Sequence, residues 1–385
     1  MRTEKLYDLD AYATAFTARV LSSEQENDRY AVTLDRTLFF PEEGGQECDT
    51  GTLGGVNVLH VRLEADGTIT HLLPAPLAVG ATVEGEIDFP TRFRKMQHHT
   101  GEHILSGIAH SLYGAENVGF HLGADNVTMD LSVPLDRYAL DKIEDLANEA
   151  VSKDLPVTAR YLTPEEIKTA AYRSKLDLKE NVRVVTVEGI DDCACCAPHV
   201  ARTGEIGLVK ILDAMSYKGG TRLTIVCGRD ALLDYRARYR DTLSLSNLLS
   251  AKQSELVEAV EQLKDALARE KRAQNELRKA ILDEEITRLG DGVTDGNRVV
   301  FAPLLDTREL RTLVNVGVTR CTGIFVALSG TDSDGYSYIA GSKAVDLRAK
   351  AKELNAALNG RGGGSSEMIQ GSVKASEKEI RRFFE

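Results

Sequence analysis

Residues 231–289 contain neither glycine nor proline and are dense in Glu, Lys, Arg, Ala and Leu. A stretch so long without the two strongest helix breakers reads as a long helix or helical hairpin, and it sets the organisation of the whole chain. Leu249, Leu256, Leu263 and Leu277 are separated by multiples of seven, which adds coiled-coil character. Glu270 interrupts the leucine series, so no extended two-chain coiled coil is inferred. Gly290, Gly292 and Gly296 close the segment.

The regions on either side differ in kind. In residues 1–90, short strand-like runs such as Tyr30-Ala31-Val32-Thr33-Leu34 are separated by Gly, Asp and Pro, which predicts a small N-terminal β-barrel. The run from Val56 to Leu63 changes apolar phase at Leu59, as a bulge would. In residues 91–230 the patterns mix. Leu140, Ile143, Ala147 and Ala150 recur at helical spacing, Val184-Val185-Thr186-Val187 is β-branched, and Thr163-Pro164-Glu165-Glu166 is a helix start. Residues 231–290 form the helical linker. Residues 291–385 return to strand-like runs, Arg298-Val299-Val300-Phe301-Ala302 and Ile324-Phe325-Val326-Ala327-Leu328, with helical patterns at 307–316 and 342–358, a small α/β domain. The fold class is α+β.

With 385 residues, 42% hydrophobic and 28% charged, the chain can bury two or three cores. It has no apolar run of about 18 residues and no apolar stretch after Met1, so a cytoplasmic protein without a membrane segment is expected. A net charge of −12 opposes broad nucleic-acid binding but leaves room for a local basic groove. Three of the six cysteines, Cys193, Cys195 and Cys196, crowd together near His199, which in an intracellular chain reads as metal-binding or redox-active.

In Met96-Gln97-His98-His99-Thr100-Gly101-Glu102-His103-Ile104-Leu105 the apolar pattern continues through Ile108 and Ala109, predicting helix despite Gly101 and Gly107. His99 and His103 then share one face, a turn apart, where two imidazoles can reach one ion. Cys195-Cys196-Ala197-Pro198-His199 supplies a thiol and an imidazole at the same spacing. Together they make a Cys-His₃ set suited to zinc, or a similar divalent ion, by ligand softness and number. Cys193 and Cys196 compete with Cys195 as ligands or stand as buried neighbours. His98 and His121 read as structural histidines, and His60, His71 and His110 carry no motif.

These residues resemble the editing domain of alanyl-tRNA synthetase and its free-standing relatives, the alanyl-tRNA editing proteins known as AlaX. That family has an H-x-x-x-H helix followed much further along by C-x-x-x-H, here His99 to His103 and Cys195 to His199. The run Asp35-Arg36-Thr37-Leu38-Phe39-Phe40-Pro41-Glu42-Glu43-Gly44-Gly45-Gln46, with Asp49 and Gly51 after it, is similar to the family's glycine-rich barrel motif. Gly119-Phe120-His121-Leu122-Gly123 and Thr203-Gly204-Glu205-Ile206-Gly207 match further segments. The stretch from Gly360 to Gly364, followed by Met368 and Gln370-Gly371, resembles the DHH-associated domain of the family's long form. No region remains for an aminoacylation domain. The family usually has two glycines and a threonine where this chain has Cys196, Ala197 and Pro198, which leaves the accepted amino acid open.

The resemblance implies a deacylase that hydrolyses the ester of mischarged tRNA(Ala), carrying serine or glycine, in trans. Glu102 is the nearest acid, either a general base or a helix-surface carboxylate. Thr37 is a candidate serine-selecting hydroxyl or an ordinary strand threonine. Gly44 and Gly45 would let the acceptor end approach the backbone, with Gln46 beside them. Lys218 and Arg222, and in the C-terminal domain Arg361 with Gly362 and Gly363, are candidates for tRNA contact or plain solvated loops. Two copies would pair through the helical linker or the C-terminal domain. Two rivals stand: His99-x-x-Glu102-His103 also fits the H-x-x-E-H signature of inverzincin metallopeptidases, and a structural zinc could serve a noncatalytic tRNA-binding module.

Overall fold

The computed structural model describes residues 2–123, 127–174 and 180–385. The fold is α+β, and the chain divides into two compact units, Met1–Thr242 and Leu243–Glu385.

The first unit begins with a seven-stranded, barrel-like antiparallel sheet. Its spatial order is Val56–Val58, Gly51–Leu53, Thr82–Ile87, Ala15–Glu26, Arg29–Leu34, Ile69–Leu73 and His60–Leu63. Its interior is filled by Val20, Val32, Leu34, Leu38, Phe39, Phe40, Leu53, Val61 and Ile69. The phase change at Leu59 marks a change of partner: Val56–Val58 pairs with Gly51–Leu53, whereas His60–Leu63 pairs with Ile69–Leu73. The single run is therefore two strands that turn a corner of the sheet, with Leu59 exposed between them.

The helix Phe89–Tyr113 follows, started by the Asp88 side chain, which accepts from Thr91 N–H, and by Pro90 in its first turn, and ended by Gly114 in the left-handed conformation. Its two internal glycines would each cost about 1 kcal/mol relative to alanine in a free helix. Packing reverses that preference here. A Cβ at Gly101 would collide with Cys227 Sγ, and one at Gly107 would lie 2.8 Å from both Ile190 O and Asp191 Cβ. The helix packs against Arg137–Ser152, whose buried stripe is Ala139, Leu140, Ile143, Ala147, Ala150 and Val151.

Two further antiparallel sheets complete this unit. One runs Asn117–Leu122, Val127–Leu131, Gly220–Cys227 and Val209–Tyr217; the other runs Val157–Tyr161, Arg183–Val187 and Asp191–Ala194. Thr163 and Glu166 form a reciprocal cap on the helix Pro164–Thr169.

The glycine-free stretch is helical but broken. Gly228–Leu249 and Leu256–Arg288 are separated at Ser250, which has φ +51°. Leu263 and Leu277 are exposed. The rest of the second unit is a five-stranded sheet in the order Arg298–Phe301, Ile324–Thr331, Gly335–Ser342, Met368–Val373, Arg361–Gly364, with helices Thr307–Gly317, Leu347–Ala357 and Glu377–Phe384. Only the first pair is parallel. Among the described residues no helix is long and apolar enough to cross a membrane.

Candidate metal centre

The pitch of the helix Phe89–Tyr113 sets the His99 and His103 rings 5.5 Å apart, centroid to centroid. The loop after Asp191–Ala194 then brings Cys195 and His199 onto them. The His199 ring lies 4.8 Å from that of His99 and 4.7 Å from that of His103. Cys195 Sγ is 3.5 Å from His99 Nε2 and 3.3 Å from His199 Nε2. One donor atom from each of the four residues lies within 4.8 Å of the others.

The opposite nitrogen of every ring is already engaged. His99 Nδ1 donates to Gln46 Oε1 at 2.8 Å, His103 Nδ1 donates to Asp191 Oδ2 at 3.1 Å, and His199 Nδ1 lies 3.0 Å from Thr100 Oγ1. Imidazoles tied in this way turn their Nε2 lone pairs to a common point, the arrangement that metal-ligating histidines use.

Each supporting residue is itself anchored. Gln46 and Glu43 bond each other's main chain, Leu122 N–H donates to Gly45 O, and a Cβ at Gly45 would collide with the Phe120 carbonyl. The helix grips the same loop through Arg92, fully buried and paired with Asp49, and through Lys95, whose ammonium donates to the carbonyls of Glu47 and Cys48. Arg183 Nη1 donates to the carbonyls of Cys195 and Ala197 at 3.0 and 2.9 Å. The loop that carries Cys195 and Ala197 is thus pinned to Arg183.

Electrostatics separates the three neighbouring cysteines. Burial pushes the Cys195 thiol up, but His99 and His199 beside it reverse this and hold it well below the ordinary thiol value. Burial lifts Cys193 to about 11, and burial with Cys195 alongside lifts Cys196 well above the ordinary value. Only Cys195 is poised as a thiolate, the form that ligates metals. Burial lowers His199 to about 3, which keeps it neutral as ligation requires.

The cluster opens on a cavity of about 650 Å³ that Glu102, Asn117, Gly44 and Arg173 also line. Glu102 is buried and accepts from Asn117 Nδ2, while Asn117 Oδ1 accepts from Gly119 N–H at 3.1 Å. Gln46 stands behind His99, outside the cavity lining. Thr37 is not brought to the cluster. It is fully buried, its hydroxyl 2.9 Å from His71 Nε2 and accepting from Phe39 N–H. Lys218 and Arg222 lie on the hairpin of Val209–Tyr217 and Gly220–Cys227, away from the cavity lining. There Arg222 pairs with Asp130 and stacks 3.7 Å over Tyr217. Arg361, Gly362 and Gly363 belong to the strand Arg361–Gly364 of the second unit. Thr100, Asn117, Arg173, Arg183 and Asp191 were not singled out in the sequence. Thr100 could have been, since it sits inside the His99–His103 turn.

Fold and cluster together define a class: α+β proteins in which one helix and one loop bring three imidazoles and a thiol to a point on a cavity wall. Residues 182–224 match the family described as the threonyl and alanyl tRNA synthetase second additional domain. The chain is 28% identical to the alanyl-tRNA editing protein AlaX-L of Pyrococcus horikoshii, over 98% of this chain and 96% of that one. It is also 28% identical to the alanyl-tRNA editing protein Aarsd1-A of Xenopus laevis, covering 94% and 92%. An alanine–tRNA ligase of Ignicoccus hospitalis is 27% identical over 98% of this chain, which spans 42% of the ligase. Along nearly its whole length the chain is a homologue of the alanyl-tRNA editing proteins.

Proposed function

We propose that this protein is an aminoacyl-tRNA deacylase that works in the cytoplasm and in trans, hydrolysing the ester between a wrongly attached serine or glycine and the terminal ribose of tRNA(Ala). Zinc is its cofactor, held by His99, His103, Cys195 and His199. The observation that carries this reading is the convergence of three Nε2 atoms and one Sγ on a single point with every Nδ1 engaged from behind. Three imidazoles and one thiol sulfur are a borderline-soft donor set that fits zinc. Homology to editing proteins over nearly the full chain supports the substrate.

When bound, zinc supplies positive charge against the oxyanion that ester hydrolysis develops. The protein's own groups do the rest. Glu102, its Oε1 held by Asn117, receives the proton of the attacking water. Gly44, without a side chain on the cavity wall, leaves room for the acceptor end. Gln46 orients His99 without touching the ester. Lys218 and Arg222, with Arg361, Gly362 and Gly363 on the second unit, contact tRNA phosphates. Thr37 takes no part, because its hydroxyl is committed to His71 and Phe39. Exposed Leu263 and Leu277 on Leu256–Arg288 are where two copies would pair.

The test is incubation of the zinc-loaded full chain with tRNA(Ala) charged with serine, glycine or alanine. Loss of serine or glycine well above the buffer rate, with alanine spared, is expected. Zinc bound without any ester loss would leave the cluster as a structural site.

A further inference from the structure

The three histidines of the cluster are backed by three different groups: an amide at His99, a hydroxyl at His199 and a carboxylate at His103. The carboxylate is the exceptional one. The Asp191 side chain is almost wholly buried, and a buried carboxylate is tolerated only when it is paired and hydrogen-bonded. Its partner is Arg173, whose Nε and Nη2 reach the two carboxylate oxygens at 2.7 and 2.8 Å. Arg173 Nη2 also donates to Ser106 Oγ at 2.7 Å, and Ser106 sits on the helix Phe89–Tyr113 one turn beyond His103. Gly107 on that helix leaves the space in which Asp191 can come this close.

Asp191, His103 and Cys193 also place their donor atoms within 4.8 Å of one another, as a second metal site would. The guanidinium already occupies the cationic position beside that carboxylate, so the group reads as a brace. We propose that Arg173 is a positioning residue for the metal centre: it clamps Asp191 between two donors and so fixes the ring of His103, without itself being a ligand. A planar fork meeting both oxygens specifies orientation, which a point charge at the same place would not. The inference rests on the reading that the four-residue cluster holds a metal ion.

The experiment measures zinc affinity by chelator competition, and the visible spectrum of the cobalt(II)-substituted protein, for the full chain and for R173K, R173Q, D191N and S106A. Removing an outer partner of a metal-bound histidine typically weakens binding about 10–100-fold. D191N should fall in that range. R173K, which keeps the charge and loses the fork, should fall toward it with an altered cobalt spectrum. Adding R173K to D191N should cost little more than D191N alone. S106A, a small change expected to fold, should weaken zinc binding by a smaller factor and covers the case in which the Arg173 variants do not fold. Wild-type affinity and spectrum in R173K and S106A would overturn the proposal, as would tighter zinc binding in R173Q, which would make the guanidinium a damping charge. Failure of the unaltered chain to bind either metal would instead remove the metal reading, and binding without deacylation would remove only the proposed reaction.

Discussion

Gln46 Oε1 accepts from His99 Nδ1 at 2.8 Å, joining the turn of the barrel motif to the first histidine of the four-residue cluster. The helix secures the same turn with Arg92 and Lys95, which lie on it before His99. A candidate ligand and the group that orients it are therefore held by one rigid element. Q46L removes the acceptor while filling a similar volume, and the Gln46 Nε2 it also removes has no partner among the described residues. About tenfold weaker zinc binding is expected with little change in melting temperature, checked by chelator competition and thermal denaturation. Unchanged affinity would mean that His99 needs no support.

The three cysteines should respond differently. C195S should lose zinc, because Cys195 is the thiol that its histidine neighbours hold low and whose Sγ lies beside two Nε2 atoms. C193S and C196S should retain about one equivalent of metal by elemental analysis, since burial holds both thiols up. Loss of metal in C196S with retention in C195S would move the ligand by one residue.

How much of this was legible in the sequence depends on the range of the interaction. The spacing of His99 and His103 follows from helical pitch alone and needed no tertiary knowledge. Gln46 stood in a recognisable motif, but its partner depends on how the Gly44-Gly45 turn sits against Phe120, which no local pattern encodes. Asp191, Arg173 and Arg183 were invisible because their meaning lies in contacts between separate elements. Gly101 and Gly107 argued locally against the helix on which the site depends, and the close approach of Cys227 to the first and of Ile190 and Asp191 to the second explains them. That Arg222 lies opposite Asp130 follows from a strand register that could not be read from either strand alone. The strand break at Leu59 left a phase signal, yet whether it meant a bulge or a new partner was decided by Gly51–Leu53.

Glu102 and Asn117 form the cavity-wall pair on which the proposed hydrolytic step rests. E102Q keeps the shape and the capacity to accept from Asn117 but cannot take a proton. On serine-charged tRNA(Ala) kcat should fall by about 10²-fold or more with KM nearly unchanged. Zinc content should stay at the wild-type level, which separates this effect from loss of the metal. A KM rise with kcat preserved would recast Glu102 as a binding group.

His71 gives the barrel a pH dependence that is independent of the metal cluster. It is wholly buried between Thr37 and Val32 O, and burial lowers it from 6.5 to about 4. The sign follows from proton binding. Between those values the unfolded chain takes up a proton that the native chain refuses, so unfolding is favoured as the pH falls. The stability from keeping His71 neutral is complete above 6.5 and is lost progressively as the pH drops toward 4. By linkage the loss is about 2 kcal/mol between pH 7.5 and 5. Urea unfolding at those two pH values should show that loss in the wild type, and H71L should show a shallower difference whatever its absolute stability. An equal pH slope in the two proteins would assign the acid sensitivity to other groups.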